Sequence, residues 1–281
     1  MSVTISGSAG LSFNDGSQLA GQLGIFNRVI DGGFIINQRG YVTNTALSAG
    51  AYGHDRWKAG ASGCTYTFTQ GSLGVNTTIT ITANSLQQVI EGCNMPEGGT
   101  YTLSWSGTAQ ARINGGSYSA SPLTTTGITA GANCTIEFNT GTVSAVQMES
   151  GSYPSTFAFR PYGTELALCQ RYALYYGTNT GGYTMTFGMG FSNGGNQAWR
   201  IVFPNPVPMR ATPTATFTNI QTWNSNGGAQ TLSSVNAVYQ LNGFVGVDVN
   251  AGGTVTTGGY PVALQTNGSG GASYFLLSSE L

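Results

Sequence analysis

The chain has 281 residues, enough for two compact domains that each bury a core. Charged residues are only 7% of it and the formal net charge is -1, so electrostatics gives nucleic acid or an anionic membrane no hold on it. At 40% apolar and 11% aromatic it is too hydrophobic to stay disordered, and its polarity comes from hydroxyls, amides and 43 glycines.

No run approaches the roughly 20 apolar residues that a membrane helix needs. The start, Met1-Ser2-Val3-Thr4-Ile5, lacks a basic segment leading into an apolar one, so cytoplasmic synthesis without export or membrane insertion is expected. The cysteines Cys64, Cys93, Cys134 and Cys169 are widely spaced, and a single histidine accompanies them. That set does not suit zinc; buried thiols are expected, with no metal and no cofactor.

Residues 1–27 form a Gly- and Ser-rich leader in which Val3, Ile5, Leu11 and Phe13 sit at odd positions, as short strands require. The leader is too thin to fold alone and is expected to attach the chain to something else. From 28 to 160, short strands alternate with Gly, Asn and Ser turns. Thr65–Thr69, Thr77–Thr82, Tyr101–Trp105, Cys134–Phe138 and Val143–Met148 each put one face in a core and one in water. Ala111-Arg112-Ile113 runs into a hairpin-type turn at Asn114-Gly115-Gly116. Roughly eight strands fit, which suits a jelly-roll-like antiparallel sandwich.

Thr164–Tyr172 breaks this rhythm with helix formers and helical apolar spacing, Thr164 being placed to cap it. The helix is expected to lead into a second β domain over 161–281, a sandwich or barrel. Its strands include Met185–Met189, Trp199–Phe203, Thr214–Phe217, Phe244–Val249 and Ser273–Leu277. Pro204, Pro206, Pro208 and Pro213 exclude a central strand where they cluster. The fold expectation is therefore all-β: a leader and two sandwiches joined by a short helix.

Phe34-Ile35-Ile36-Asn37-Gln38-Arg39-Gly40, followed by His54-Asp55-Arg56-Trp57, resembles the opening of carbohydrate-binding-module-like sandwich domains in bacteriophage tail fibres. Val146–Tyr162 resembles the closing strand and exit of that family, and Gly163–Tyr172 the segment that follows. The resemblance covers residues 34 to 172, with a fainter match at Gly10–Gln18. It implies a virion protein, often a homotrimer, whose N-terminal leader docks to other tail proteins while a distal domain meets the host surface. It implies no reaction.

Few titratable residues are available for chemistry. A glycan depolymerase needs two carboxylates about 5 to 9 Å apart. Glu91 with Glu97, or Glu137 with Glu149, could supply them, but solvated or hydrogen-bonded acids are the expectation, and so no catalytic residue. His54 is placed as a structural hydrogen-bonding group rather than a base or a ligand on a three-fold axis, since no second histidine or nucleophile motif accompanies it. Asp55, Arg56 and Arg39 are expected to form an ion-paired network near Trp57. Binding falls to the aromatics, because sugar C–H faces stack on rings while amides serve the hydroxyls. Tyr183, Trp199, Trp223, Tyr239 and Tyr260 are the candidates, Trp223 foremost because Gln221–Gly228 reads as an exposed loop. Host adhesion through surface glycan is the expected function. A purely structural tail or baseplate role is the alternative, and depolymerisation the least favoured.

Overall fold

The computed structural model describes residues 3–6, 10–13, 18–19, 27–178, 185–192, 198–224, 228–241, 243–251, 259–268 and 271–281. The chain is β-rich with one α-helix and divides into two compact units, Met1–Asn37 with Tyr41–Glu165, and Gln38–Gly40 with Leu166–Leu281.

In the leader, β1 (Val3–Ser6), β2 (Gly10–Phe13) and β3 (Gln18–Leu19) pair antiparallel in that order. Val3 pairs with Phe13 and Ile5 with Leu11, so the odd-numbered apolar positions share register.

The rest of the first unit holds β4 (Lys58–Phe68), β5 (Ile79–Ile90), β6 (Gly99–Ser106), β7 (Ala111–Ile113), β8 (Leu123–Ile128), β9 (Cys134–Phe138) and β10 (Gly141–Ser150). They form one seven-stranded sheet in the order β7-β9-β5-β10-β6-β8, with β4 also on β5. β10 makes the sheet bend. Its first residues, Gly141–Val143, pair with β5; then the register breaks between Ser144 and Gln147, and the rest pairs with β6. Ala145, inside the break, takes a φ of 49°, and such a bulge turns the strand. The bent sheet covers a core containing Trp57, Tyr66, Tyr101, Trp105 and Phe138. Both indoles are satisfied locally: Trp57 Nε1 donates to Asp31 O and Trp105 Nε1 to Ala109 O, each at 2.9 Å. The expected turn forms as well. Asn114 and Gly115 both have positive φ, and Gly116 N donates to Ile113 O.

The helix α1 spans Tyr162–Gln170, starting two residues before its expected cap, because Thr164 N and Glu165 N both donate to Pro161 O.

The second unit holds β11 (Ala173–Thr178), β12 (Thr186–Ser192), β13 (Ala198–Pro204), β14 (Thr214–Thr218), β15 (Ile220–Asn224), β16 (Gly228–Leu241), β17 (Phe244–Ala251), β18 (Pro261–Thr266) and β19 (Ser273–Ser278). Of the two expected forms, sandwich and barrel, the structure has the barrel: six strands close, β12-β13-β17-β16-β15-β18, beside a three-stranded sheet β11-β19-β14. Closure follows from register. Trp223 on β15 pairs with Ala229 of β16, while the same outer row followed the other way round the barrel arrives on β16 at Tyr239. This ten-residue stagger is the shear that lets tilted strands meet. Ile201, Phe203, Val245, Val247, Val262 and Leu264 fill the inside. Pro204 caps the end of β13, and residues 205–213, with the remaining clustered prolines, form no strand.

Candidate functional site

The barrel's outer face carries the exposed rings. Trp223 is 47% exposed, Tyr239 44% and Tyr260 37%. Trp223 lies on strand β15 rather than in a loop, beside the three-residue connection to β16. Its ring stays out while its strand neighbours Thr222 and Asn224, which point to the other face, are buried. The backbone of Trp199 lies in β13, its side chain outside the described residues; Tyr183 also lies outside them.

Register joins these positions into rows. Trp223 pairs with Ala263, Ala263 with Met189, Met189 with Val202, Val202 with Gly246 and Gly246 with Tyr239. At the usual strand spacing this row runs about 24 Å around the barrel, without one charged residue. Met189 is 66% exposed, Val202 is exposed too, and the Tyr239 side chain lies over Gly246, 3.8 Å from where a Cβ would stand. One step along the strands, Phe191 pairs with Arg200 and Arg200 with Asp248. Phe191 is 62% exposed. On the opposite side, Pro204 pairs with the exposed Phe244.

One polar constellation interrupts the apolar surface. Arg200 donates from Nε and Nη2 to the two oxygens of Asp248, both at 2.9 Å, and Tyr239 OH donates to Asp248 Oδ2 at 3.0 Å. The guanidinium also stands 5.4 Å from the centre of the Tyr239 ring. The hydrogen bond from Arg200 holds the Asp248 carboxyl below the usual range, and the same bond raises Arg200. Both groups are therefore charged at neutral pH and cancel.

The other chemistry-bearing residues are used for structure. His54 is buried, with Nδ1 2.9 Å from Tyr66 OH and Nε2 3.2 Å from Gln70 Oε1, inside a box of Phe34, Tyr41, Tyr66 and Phe68. Burial pushes its pKa down to about 4. Glu137 accepts from Ser85 Oγ at 2.6 Å and from Arg112, whereas Glu149 accepts from Ser155 and Gln147. Glu97 pairs with Arg28. Cys64, Cys134 and Cys169 are buried and Cys93 exposed. Among the described residues no group of three or more His, Cys, Asp or Glu is arranged to hold a metal ion. In the first unit Thr67, Phe68, Thr69, Thr78 and Thr80 line an open groove of about 480 Å³ with no titratable side chain.

The expected Asp55–Arg56–Arg39 network is corrected at Arg39, whose Nη2 lies 3.1 Å from Glu280 Oε1 in the second unit. Arg56 donates to Val89 O at 2.6 Å. A buried ion pair near Trp57 is Arg160–Glu165, with Nη1 3.0 Å from Oε1; that oxygen also accepts from Asp31 N, and Asp31 O in turn accepts from the Trp57 indole.

Sequence reasoning missed Met189, Phe191, Arg200, Val202, Phe244 and Asp248. The signal lies in β12, where Gly188-Met189-Gly190-Phe191 alternates with glycine at the inward-facing positions. Gly188 and Gly190 face the interior because a Cβ there would meet Phe203, Ile201 and the backbone of Arg200. No protein-family model, no curated protein and no solved structure matches this chain.

Proposed function

We propose that the chain is a fibre-like virion protein of a bacteriophage tail that adheres to the host cell surface through its C-terminal barrel, with neutral glycan as the ligand class. The half-exposed indole of Trp223 carries this reading. It stands on an almost uncharged outer face, where a sugar's C–H face can stack. Tyr239 and Tyr260 add further exposed rings. In this reading the first unit is a jelly-roll-like sandwich of the carbohydrate-binding-module type, and the leader docks to other tail proteins. The chains are homotrimeric, so that weak individual contacts add through multivalency. The role is not enzymatic: Glu137 and Glu149 each serve their own hydrogen-bond set.

The test is binding of the purified full chain to a panel of bacterial cells and to their extracted surface glycans. Saturable binding that falls at least about tenfold in Trp223→Ala is expected, since a central aromatic anchor contributes that much or more. A folded protein that binds no cell and no glycan overturns the reading.

A second reading, a purely structural tail component, is favoured by the aliphatic part of the exposed face. Met189 and Val202 offer nothing to a sugar hydroxyl, and exposed apolar patches of this kind suit protein contacts.

A further inference from the structure

The face formed by β12, β13 and β17, with Tyr239 from β16, is apolar where it should face water. Met189, Phe191, Val202, Phe244 and Tyr239 each keep between about two-fifths and two-thirds of their surface exposed. On ordinary side-chain areas that is about 500 Å² of apolar surface, near the upper limit that a monomer leaves uncovered. Interfaces between identical subunits are about 65% apolar, so 500 Å² of apolar surface corresponds to about 800 Å² in all. That is what each partner of a standard stable interface contributes.

The charges on the face say which partner fits. Arg200 and Asp248 are its ionic groups on neighbouring strands, and they lie in the order Phe191, Arg200, Asp248 across β12, β13 and β17, with Tyr239 bonded to Asp248. Arg200 and Asp248 neutralise each other in a bidentate ion pair within the chain, so the face carries no net charge. A strongly acidic or basic partner gains nothing there. The same neutral, apolar face on a second copy can meet it without burying an unpaired charge, because each Arg200 keeps its own Asp248.

We infer that this face of the barrel is where copies of the chain associate, Met189 and Val202 forming its dry centre and each copy's own Arg200–Asp248 pair lying beside it. The inference rests on the multimeric part of the reading above and names the surface; it takes Tyr239 into the interface and leaves Trp223, two strands away from Met189 in the row, and Tyr260 for a ligand.

The experiment is the mass of the full chain in solution at micromolar concentration, by sedimentation equilibrium, with folding checked by circular dichroism and thermal midpoint. The wild type is expected to be multimeric, and Met189→Asp and Val202→Asp to weaken association at least about tenfold, as for central interface residues. Both side chains point outward, so neither change disturbs the core. Leu73→Asp, at an exposed apolar position of the first unit, is expected to leave the mass unchanged. A further variant tests the neutrality of the face: Arg200→Asp sets a second carboxylate beside Asp248 and is expected to disperse the multimer while the chain stays folded. A monomeric wild type overturns the inference, as does a multimer that survives both the Met189 and the Val202 variant, or a folded Arg200→Asp variant that stays multimeric. Host-cell binding on the same preparations separates the two proposals. A monomer that still binds cells removes this inference alone; a multimer dispersed by Met189→Asp that binds no cell or glycan removes the adhesion reading alone.

Discussion

Gly188 of β12 and Phe203 of β13 share one space inside the barrel: a Cβ on Gly188 would stand 2.5 Å from the Phe203 ring and 2.8 Å from Ile201 Cγ2. Phe203 is fully buried and stacks with Phe187, 5.8 Å between ring centres. An added methyl must push a packed ring aside or force neighbouring strands apart, and overpacking of this kind costs about 1–3 kcal/mol. Gly188→Ala is therefore expected to lower the urea midpoint with little change of slope. At Gly190 the nearest obstacle is the carbonyl oxygen of Arg200, 1.7 Å away, and backbone cannot rotate aside as a ring can. Gly190→Ala is expected to be the more damaging of the two; the reverse order would refute this packing.

Arg160 and Glu165 are both nearly buried. Arg160 donates through Nη1 to Val29 O and to both Glu165 oxygens, and through Nη2 to Asn27 O. Removing only the guanidinium strands a carboxylate in the interior, so Arg160→Met is expected to cost about 3–5 kcal/mol. Adding Glu165→Gln removes the stranded charge while keeping an acceptor for Asp31 N. The double variant should therefore be less destabilised than the two single changes together, as a denaturation cycle would show. Additive costs would mean that the pair is not coupled.

Much of the first unit was legible because its information is local. Thr65–Thr69, Tyr101–Trp105 and Cys134–Phe138 alternate with period two over one buried face, and each lies at least mostly within an observed strand. The barrel was not legible in the same way. Its closure rests on pairings such as Trp223 with Ala263 and Arg200 with Asp248, and on a ten-residue stagger along β16, none of which short-range periodicity encodes. The aromatics Trp223, Tyr239 and Tyr260 could be singled out as rings on a neutral surface. Their neighbours Met189 and Val202 could not, because a strand's sequence does not say which of two apolar faces closes on the core. Arg39 was misplaced for a similar reason: its partner Glu280 is 241 residues away.

Arg39 ties Gln38–Gly40 to the C-terminal end of the second unit, where Gln38 Nε2 also donates to Ala173 O at 3.1 Å. The Arg39 and Glu280 side chains are largely shielded from water, so their attraction is less screened than that of a surface pair. Glu280→Ala is expected to destabilise the second unit by about 1–3 kcal/mol, with Glu280→Asp recovering some of it. Hydrogen exchange of β11 and β19 reads the effect. Unchanged protection there would show that the pair contributes nothing.

His54 and Asp31 set opposite slopes on the pH dependence of stability. The folded value of His54, about 4, lies below the ordinary 6.5 because burial disfavours the imidazolium. Between those values the unfolded chain binds a proton that the folded chain refuses. The contribution of His54 is therefore whole above about pH 6.5 and is lost as pH falls towards 4, by about 3 kcal/mol in all. Asp31 moves the other way. Burial first, then the nearby charge of Asp55, raises its carboxyl well above the usual range, although Ile35 N and Ile36 N both donate to Oδ1. The folded chain holds that proton more tightly than the unfolded one, so acidification relieves the cost of a buried carboxylate. The wild-type profile is the sum of the two slopes, and single variants separate them. His54→Gln is expected to flatten the loss of stability between about pH 7 and pH 4.5, and Asp31→Asn to steepen it. Urea midpoints across that range that move in parallel for all three proteins would mean that neither group titrates differently in the folded chain.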